Sequence, residues 1–505
     1  MALATGASRA TGFFRTAALA SVLGVTGLGD AYNTANTIPN MVFTLVVGGV
    51  LTAAVVPILV QSHALQPDEP SAASALLGVT LVVGILASVA VAVSAPALVR
   101  ALTAGASDRA GYEAYVALTT SWLRWFAPQI GLYALGVLAV SIMTAKRRLF
   151  LGAAAPIATN LITIGVTLSV VGGGGSVRGG VGKIDPGTVS ALGAGTTFAV
   201  AVATVVQLWG AWRAVPGLRP HWNPGHVAVR GLGRRAGWML LYVGANQVGL
   251  TLVVAIATST PGGVSAYQWA FTLMQLPYAL IAVSIMSAAY PAISRAVEAT
   301  VSVAPAVRRT MTSTFRLLVP AAIGLAMLAT PIAIVLVGRS GAGLVAAAAL
   351  GFAVSLIPFT AFQLLTRVCY AHHDTRGPAF VNVAVNLVNV GAAFGLVAVA
   401  SSATQVLGGL ALAHATSYGV GVLLLVAKLA HRQILTFQDL FAGHLGTFAA
   451  AAFMGFVVWV GNQTAGPVGS RTEALVVTGA LSALGLATFA VGTKVSRVLT
   501  GWNRP

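Results

Sequence analysis

Long apolar runs follow one another almost without pause along this chain, separated by short clusters of Gly, Pro and charge. A helix crossing the hydrocarbon core of a bilayer needs about 20 mostly apolar residues. Breaking the chain at Gly, Pro and charge clusters predicts fourteen spans. They lie near 9–28, 31–60, 73–100, 113–144, 150–171, 188–213, 236–258, 265–292, 311–336, 343–371, 378–400, 405–429, 443–461 and 472–493. Three spans carry polar stripes at helical spacing. Span two has Asn33, Asn36, Thr37, Asn40 and Thr44, span eight has Gln268, Thr272 and Gln275, and span eleven has Asn382, Asn386 and Asn389. One polar face on an otherwise apolar helix predicts a wet surface or hydrogen bonding between helices, worth about 0.6 kcal/mol on average. Pro39 loosens span two, which favours a water-filled cavity there.

Composition agrees with a membrane protein. Of 505 residues, 57% are hydrophobic and 8% charged, with a mean hydropathy of +0.88. Soluble domains carry about 25% charged residues, so a soluble enzyme, a disulfide scaffold and a disordered chain are excluded. The net charge of +18 follows from topology: with the N-terminus inside, 21 Lys and Arg fall in cytoplasmic segments and their flanks and six fall outside. Both termini are therefore expected in the cytoplasm, and no nucleic-acid partner is implied. The basic stretch 214–235 also suits anionic lipid headgroups. Arg15 interrupts the first apolar run, which reads as a membrane helix and not a cleaved leader.

The chain repeats itself. Ala31-Tyr32-Asn33 in span two corresponds to Ala266-Tyr267-Gln268 in span eight, and Asn160–Gly165 in span five to Asn386–Gly391 in span eleven, at offsets of 235 and 226. Corresponding spans lie six apart, an even number, so the copies share one topology and an axis along the membrane normal, as in transporters. The expected organisation is a six-helix lobe (1–214), a basic cytoplasmic loop (215–235), a second six-helix lobe (236–432), and two extra helices with a cytoplasmic tail (433–505).

Enzymatic signatures are missing. The Gly172–Lys183 stretch has Val177 and Ile184 where a phosphate loop needs Gly and Ser or Thr, and only Asp68–Glu69 are adjacent acids. The single cysteine, Cys369, and the scattered histidines offer no metal-ligand spacing; no cofactor is expected.

An ionisable residue inside a span costs about 2.5–3.5 kcal/mol on insertion scales and marks a candidate site. Arg9 and Arg15 in span one qualify, with Asp30 at its outer end; Arg124, between Trp122 and Trp125, suits an interfacial anchor equally well. Arg9 and Arg15 stand roughly 120° apart, so facing one cavity requires a bend, which Gly12 could provide. Arg9 could instead snorkel to the inner headgroups. Arginines and amides with one peripheral carboxylate favour an anionic substrate. Candidate substrate-binding residues are Arg9, Arg15, Asp30, Asn33, Asn36, Asn40, Gln268, Thr272 and Gln275.

Several segments carry a family resemblance: Gly29–Asn40, Gly48–Leu59, Ala127–Ile130, Leu273–Pro277 and Arg367–Pro378. In order along nearly the whole chain, they resemble the lipid II flippases (the MurJ or MviN family). That resemblance implies an all-α polytopic fold of the multidrug/oligosaccharidyl-lipid/polysaccharide exporter superfamily, without enzymatic activity. It implies alternating-access movement of an undecaprenyl-pyrophosphate-linked peptidoglycan precursor across the bacterial cytoplasmic membrane. Spans one, two, seven and eight would line a cationic cavity, and the last two helices would form a groove for the lipid tail. Membrane lipids and cell-wall synthesis proteins are the expected neighbours. Arg9, Arg15 and Asp30 match polar cavity positions. Phe43 and Thr272 stand where many members carry arginine, and span eleven has asparagines where some relatives place an acidic sodium ligand. Another polyprenyl-linked glycan, a cationic drug, or a non-transporting scaffold role remain as alternatives.

Overall fold

A computed structural model of the chain describes residues 2–45, 59, 71–148, 150–172, 180–441 and 443–499. The second half of predicted span two, including Pro57, most of the Gly-rich loop after Gly172, Asp68–Glu69 and the tail from 500 lie outside them. All described regular elements are helical. The chain divides into two compact units, 1–265 and 266–505.

The first unit holds α1 (Ala2–Leu23), α2 (Gly27–Leu45), α3 (Ser71–Leu102), α4 (Tyr112–Phe126), α5 (Pro128–Ala145), α6 (Phe150–Gly172), α7 (Pro186–Ala214) and α8 (Val227–Ala257). Helix α9 (Gly263–Pro277) begins here and continues into the second unit. There a π-helical turn, Tyr278–Ala282, leads into α10 (Val283–Glu298), α11 (Ala304–Met327), α12 (Ala329–Val337), α13 (Ala342–Ala371), α14 (Arg376–Ala398) and α15 (Ala403–His431). The short α16 (Phe437–Phe441) precedes α17 (Leu445–Ala465) and α18 (Arg471–Leu499).

Twelve described helical stretches are long and apolar enough to cross a membrane, counting α4–α5 and α9–α10 as one each. They coincide with predicted spans three to fourteen. The first two predicted spans correspond to α1 and α2, where Arg9, Arg15, Asp30 and the asparagines lower the hydropathy. The apolar outer face of α3, with Val83, Ile85, Leu86, Val89 and Val93 more than half exposed, is the surface a helix turns to lipid. Its other side packs closely enough on α5 that a Cβ on Gly84 would sit 2.9 Å from the Cα of Gly131. Small residues of this kind let membrane helices approach where no hydrophobic effect drives them together.

Helix pairings recur between the units. In the first, α3 packs on α4 and α5, α5 on α7, and α6 on α7; in the second, α11 packs on α13, α13 on α15, and α14 on α15. These are the pairings expected of spans six apart. The extra helices pack on each other, α17 also on α11 and α18 on α12.

Breaks in the helices depart from the predicted spans. Span four divides at Ala127 into α4 and α5, where Pro128 has no N–H for the helical ladder. Span nine divides at Leu328 into α11 and α12. Span eight widens into the π turn after Pro277, which has no N–H for the helical ladder. The basic segment ends as a loop at His226, whose Nδ1 accepts from the Ala228 N–H and starts α8 at Val227.

Candidate substrate-handling site

Arg9 and Arg15 are half-buried on α1, which runs unbroken through Gly12, so no break there brings the two side chains onto one face. Asn160 on α6 donates to the Ser8 carbonyl at 3.1 Å and to Thr11 Oγ1 at 3.0 Å, tying α1 to α6 on either side of Arg9. The charge of Arg15 is felt at the phenols of Tyr32 and Tyr133. Its Nε is buried without a hydrogen-bond partner among the described residues.

Asn33, Asn36 and Asn40 occupy a stripe about 60° wide on α2, beside Tyr32. The Asn36 Oδ1 is likewise buried without a partner among the described residues. Buried polar atoms are almost always paired, so an unpaired guanidinium nitrogen and amide oxygen on adjacent helices describe a surface suited to water or a polar ligand. Tyr32 anchors α2 from behind: its ring meets Trp122 and Phe126 at 5.5 and 5.2 Å between centroids, and its hydroxyl meets Thr196 Oγ1 at 2.8 Å.

Asp30 acts on the protein itself. Fully buried in the first turn of α2, it accepts from the Gly262 N–H at 2.7 Å and the Ser265 N–H at 2.9 Å. These amides lie at the start of α9, where backbone donors lack helical acceptors and the helix dipole favours an anion. Asn33 Nδ2 adds a bond to Ser265 Oγ at 3.0 Å. Arg109, on the loop between α3 and α4, donates to the Thr258 carbonyl at 2.8 Å and lies 5.8 Å from the Tyr115 ring centre. The Tyr115 hydroxyl meets Thr34 Oγ1 at 3.3 Å. The first turn of α2 and the loop between α3 and α4 thus clasp the turn between α8 and α9. The signal of Arg109 in the sequence is its proximity to Tyr112 and Tyr115.

Gln268, Thr272 and Gln275 share one half-buried face of α9 in the second unit. Thr272 Oγ1 donates to its own helix, at the Gln268 carbonyl, at 2.9 Å. Tyr267 and Phe271 on the same helix meet Phe352. Phe43 packs on Tyr133 at 4.8 Å, so neither position where the resemblance implies arginine is charged. On α14, Asn386 donates to the Asn382 carbonyl at 2.8 Å, and Asn389 Oδ1 is buried without a partner among the described residues. No cluster of three His, Cys, Asp or Glu that could hold a metal occurs among the described residues. Arg124 is exposed, as an interfacial anchor would be. His414, which sequence reading passed over, is buried on α15 with its Nδ1 2.6 Å from Ser355 Oγ.

The second unit also carries an apolar groove between α11 and α17, about 330 Å³, lined by Ile323, Met327, Ala452, Gly455, Phe456 and Trp459.

A many-span, all-helical chain with repeated six-helix pairings and buried polar side chains in its membrane helices is a polytopic transporter. The family profile described as lipid II flippase MurJ matches residues 19–476. A probable lipid II flippase MurJ from Rhizobium tropici is 25% identical over 518 residues, covering 99% of this chain and 93% of its own. A solved lipid II flippase MurJ in an inward closed conformation superposes with a TM-score of 0.77 at 17% identity, covering 98% of both chains. An inward-facing MATE-family multidrug resistance transporter of the MOP superfamily gives 0.69 at 12% identity, covering 84% of this chain and 95% of its own. This chain belongs to the MurJ family of lipid II flippases, multi-pass transporters of the bacterial inner membrane that are not enzymes.

Proposed function

We propose that this chain carries lipid II, the undecaprenyl-pyrophosphate-linked peptidoglycan precursor, from the inner to the outer leaflet by alternating access. The observation that carries this reading is Arg15, half-buried beside the polar stripe of α2, with its Nε lacking a protein partner among the described residues. A cation held in a low-dielectric site attracts an anion far more strongly than in water, and a guanidinium matches phosphate oxygens in geometry as well as charge. Arg15 would hold the pyrophosphate, and Arg9 would add to the positive field. Asn33, Asn36, Asn40, Gln268, Thr272 and Gln275 would supply amides and hydroxyls to the sugars and peptide. Asp30 would hold the outer clasp until it releases. The positive-inside distribution supports cytoplasmic termini, and the recurring pairings support lobes at 1–214 and 236–432 with an added helix pair in 433–505.

The uncharged Phe43 and Thr272 favour keeping a second reading, a flippase for another polyprenyl-linked glycan. The deciding variant is Arg15→Ala, assayed for growth of a host depleted of its own flippase. Loss of rescue with normal membrane insertion supports the reading, and normal rescue removes its main support.

A further inference from the structure

Helix α11 presents Arg309, Arg316, Ile323 and Met327 at spacings of seven, seven and four, on one face within about 40°. The last two line the apolar groove against α17. The two arginines continue the same stripe toward the cytoplasmic end, and both are exposed. Depth follows from helix rise: about 30 Å of hydrocarbon is about 20 residues, and counting back from Val337 at the outer end of α12 reaches Arg316 at the inner hydrocarbon boundary. That is the level of inner-leaflet phosphates.

The surroundings fit a lipid mouth. The charge of Arg316 is felt at His444, which opens α17, and the His444 ring packs 5.1 Å from Phe315, next to Phe448 at 6.3 Å. Phe456 and Trp459 continue the wall outward, 6.2 Å apart. Arg308, which faces elsewhere, is spent on Asp439 at 2.7 Å and fixes the elbow that leads to α17. Arg316 makes no ion pair among the described residues.

We propose that Arg316, aided by Arg309, forms a capture site for the pyrophosphate of an isoprenoid lipid whose tail lies in the α11–α17 groove, separate from the Arg15 surface. This rests on the flippase reading for the choice of lipid. Two guanidiniums about 10 Å apart along the helix axis, on long flexible stems, suit a pyrophosphate with its several charges better than a phosphodiester with one.

The test is native mass spectrometry of the full chain in detergent, titrated with undecaprenyl pyrophosphate, phosphatidylglycerol or inorganic pyrophosphate. Arg316→Gln should weaken undecaprenyl pyrophosphate binding about fivefold, the worth of one surface cation near a lipid phosphate. Arg316→Lys should lose less. Ala452→Trp, which fills the groove without touching the arginines, should weaken it as well, and phosphatidylglycerol binding should barely respond to either change. The proposal is overturned by unchanged binding in Arg316→Gln, by equal losses for phosphatidylglycerol, or by inorganic pyrophosphate competing as well as the lipid. Lipid II transport by the unaltered chain tests the parent reading separately. Arg316-dependent binding without transport sinks the flippase reading alone; transport with normal binding in Arg316→Gln sinks the capture site alone.

Discussion

Replacing Asp30 by Asn probes the clasp at its buried carboxylate. The carboxylate is fully buried and accepts two backbone N–H groups at 2.7 and 2.9 Å. Asparagine keeps one neutral acceptor and turns an NH2 donor toward the other amide. A charge-assisted bond is about twice as strong as a neutral one, and a buried N–H left unsatisfied costs about 1–3 kcal/mol. Together with the lost charge at a helix N-terminus, the start of α9 should be destabilised by about 2–4 kcal/mol. Local opening governs amide exchange, so hydrogen exchange across residues 258–266 should accelerate roughly 30- to 700-fold. The first turn of α7 supplies the control: there Asp185 accepts from the Thr188 N–H at 2.9 Å and is untouched by the substitution. Unchanged exchange at 258–266, or an equal rise at Thr188, would refute the reasoning.

Further tests concern the loop after α7 and the turn between α13 and α14. The Arg219 and His221 backbone N–H groups bond to Ser74 at 3.3 and 3.0 Å, and a Cβ on Gly78 would collide with the His221 backbone. Gly78→Ala should therefore cost about 1–3 kcal/mol by overpacking and speed chymotryptic cleavage after the exposed Trp222 in the native protein. Asp374 accepts from Lys428 at 2.7 Å, Arg432 at 3.2 Å and the Gly377 N–H at 2.8 Å. Burial pushes its carboxyl up, but these bonds and charges outweigh it and hold the group below its ordinary value. A depressed carboxylate stabilises the fold above its unfolded pKa and loses that contribution as pH falls through the folded value. The thermal-stability gap between wild type and Asp374→Asn should stay constant from about pH 5 to 8 and close in stronger acid; a gap that widens on acidification contradicts the assignment.

Span positions were legible because hydrocarbon thickness imposes itself on every helix in the same way, whatever its neighbours. What sequence could not show is which polar groups the protein uses on itself. Asp30 read as a cavity residue because a lone intramembrane acid is costly; its partners are amides more than 200 positions away, beyond any local pattern. Asn160 and Asn386 occupy matching positions of the repeat, yet one bonds across to α1 and the other to its own helix. A repeat conserves the backbone frame, while each side chain answers to its own surroundings. The break at Leu328 has one local signal, Pro331, whose missing N–H leaves the Met327 carbonyl without its helical donor; no charge marks the join.

The most direct test of the account is lipid II accessibility at the outer leaflet. A bacterium depleted of its own flippase is supplied with this chain, and outward-exposed lipid II is measured by an externally added enzyme that cleaves it. The account predicts that wild type restores exposure and Arg15→Ala, inserted at equal level, does not. Exposure that stays at the depleted level with wild-type protein in the membrane would contradict it.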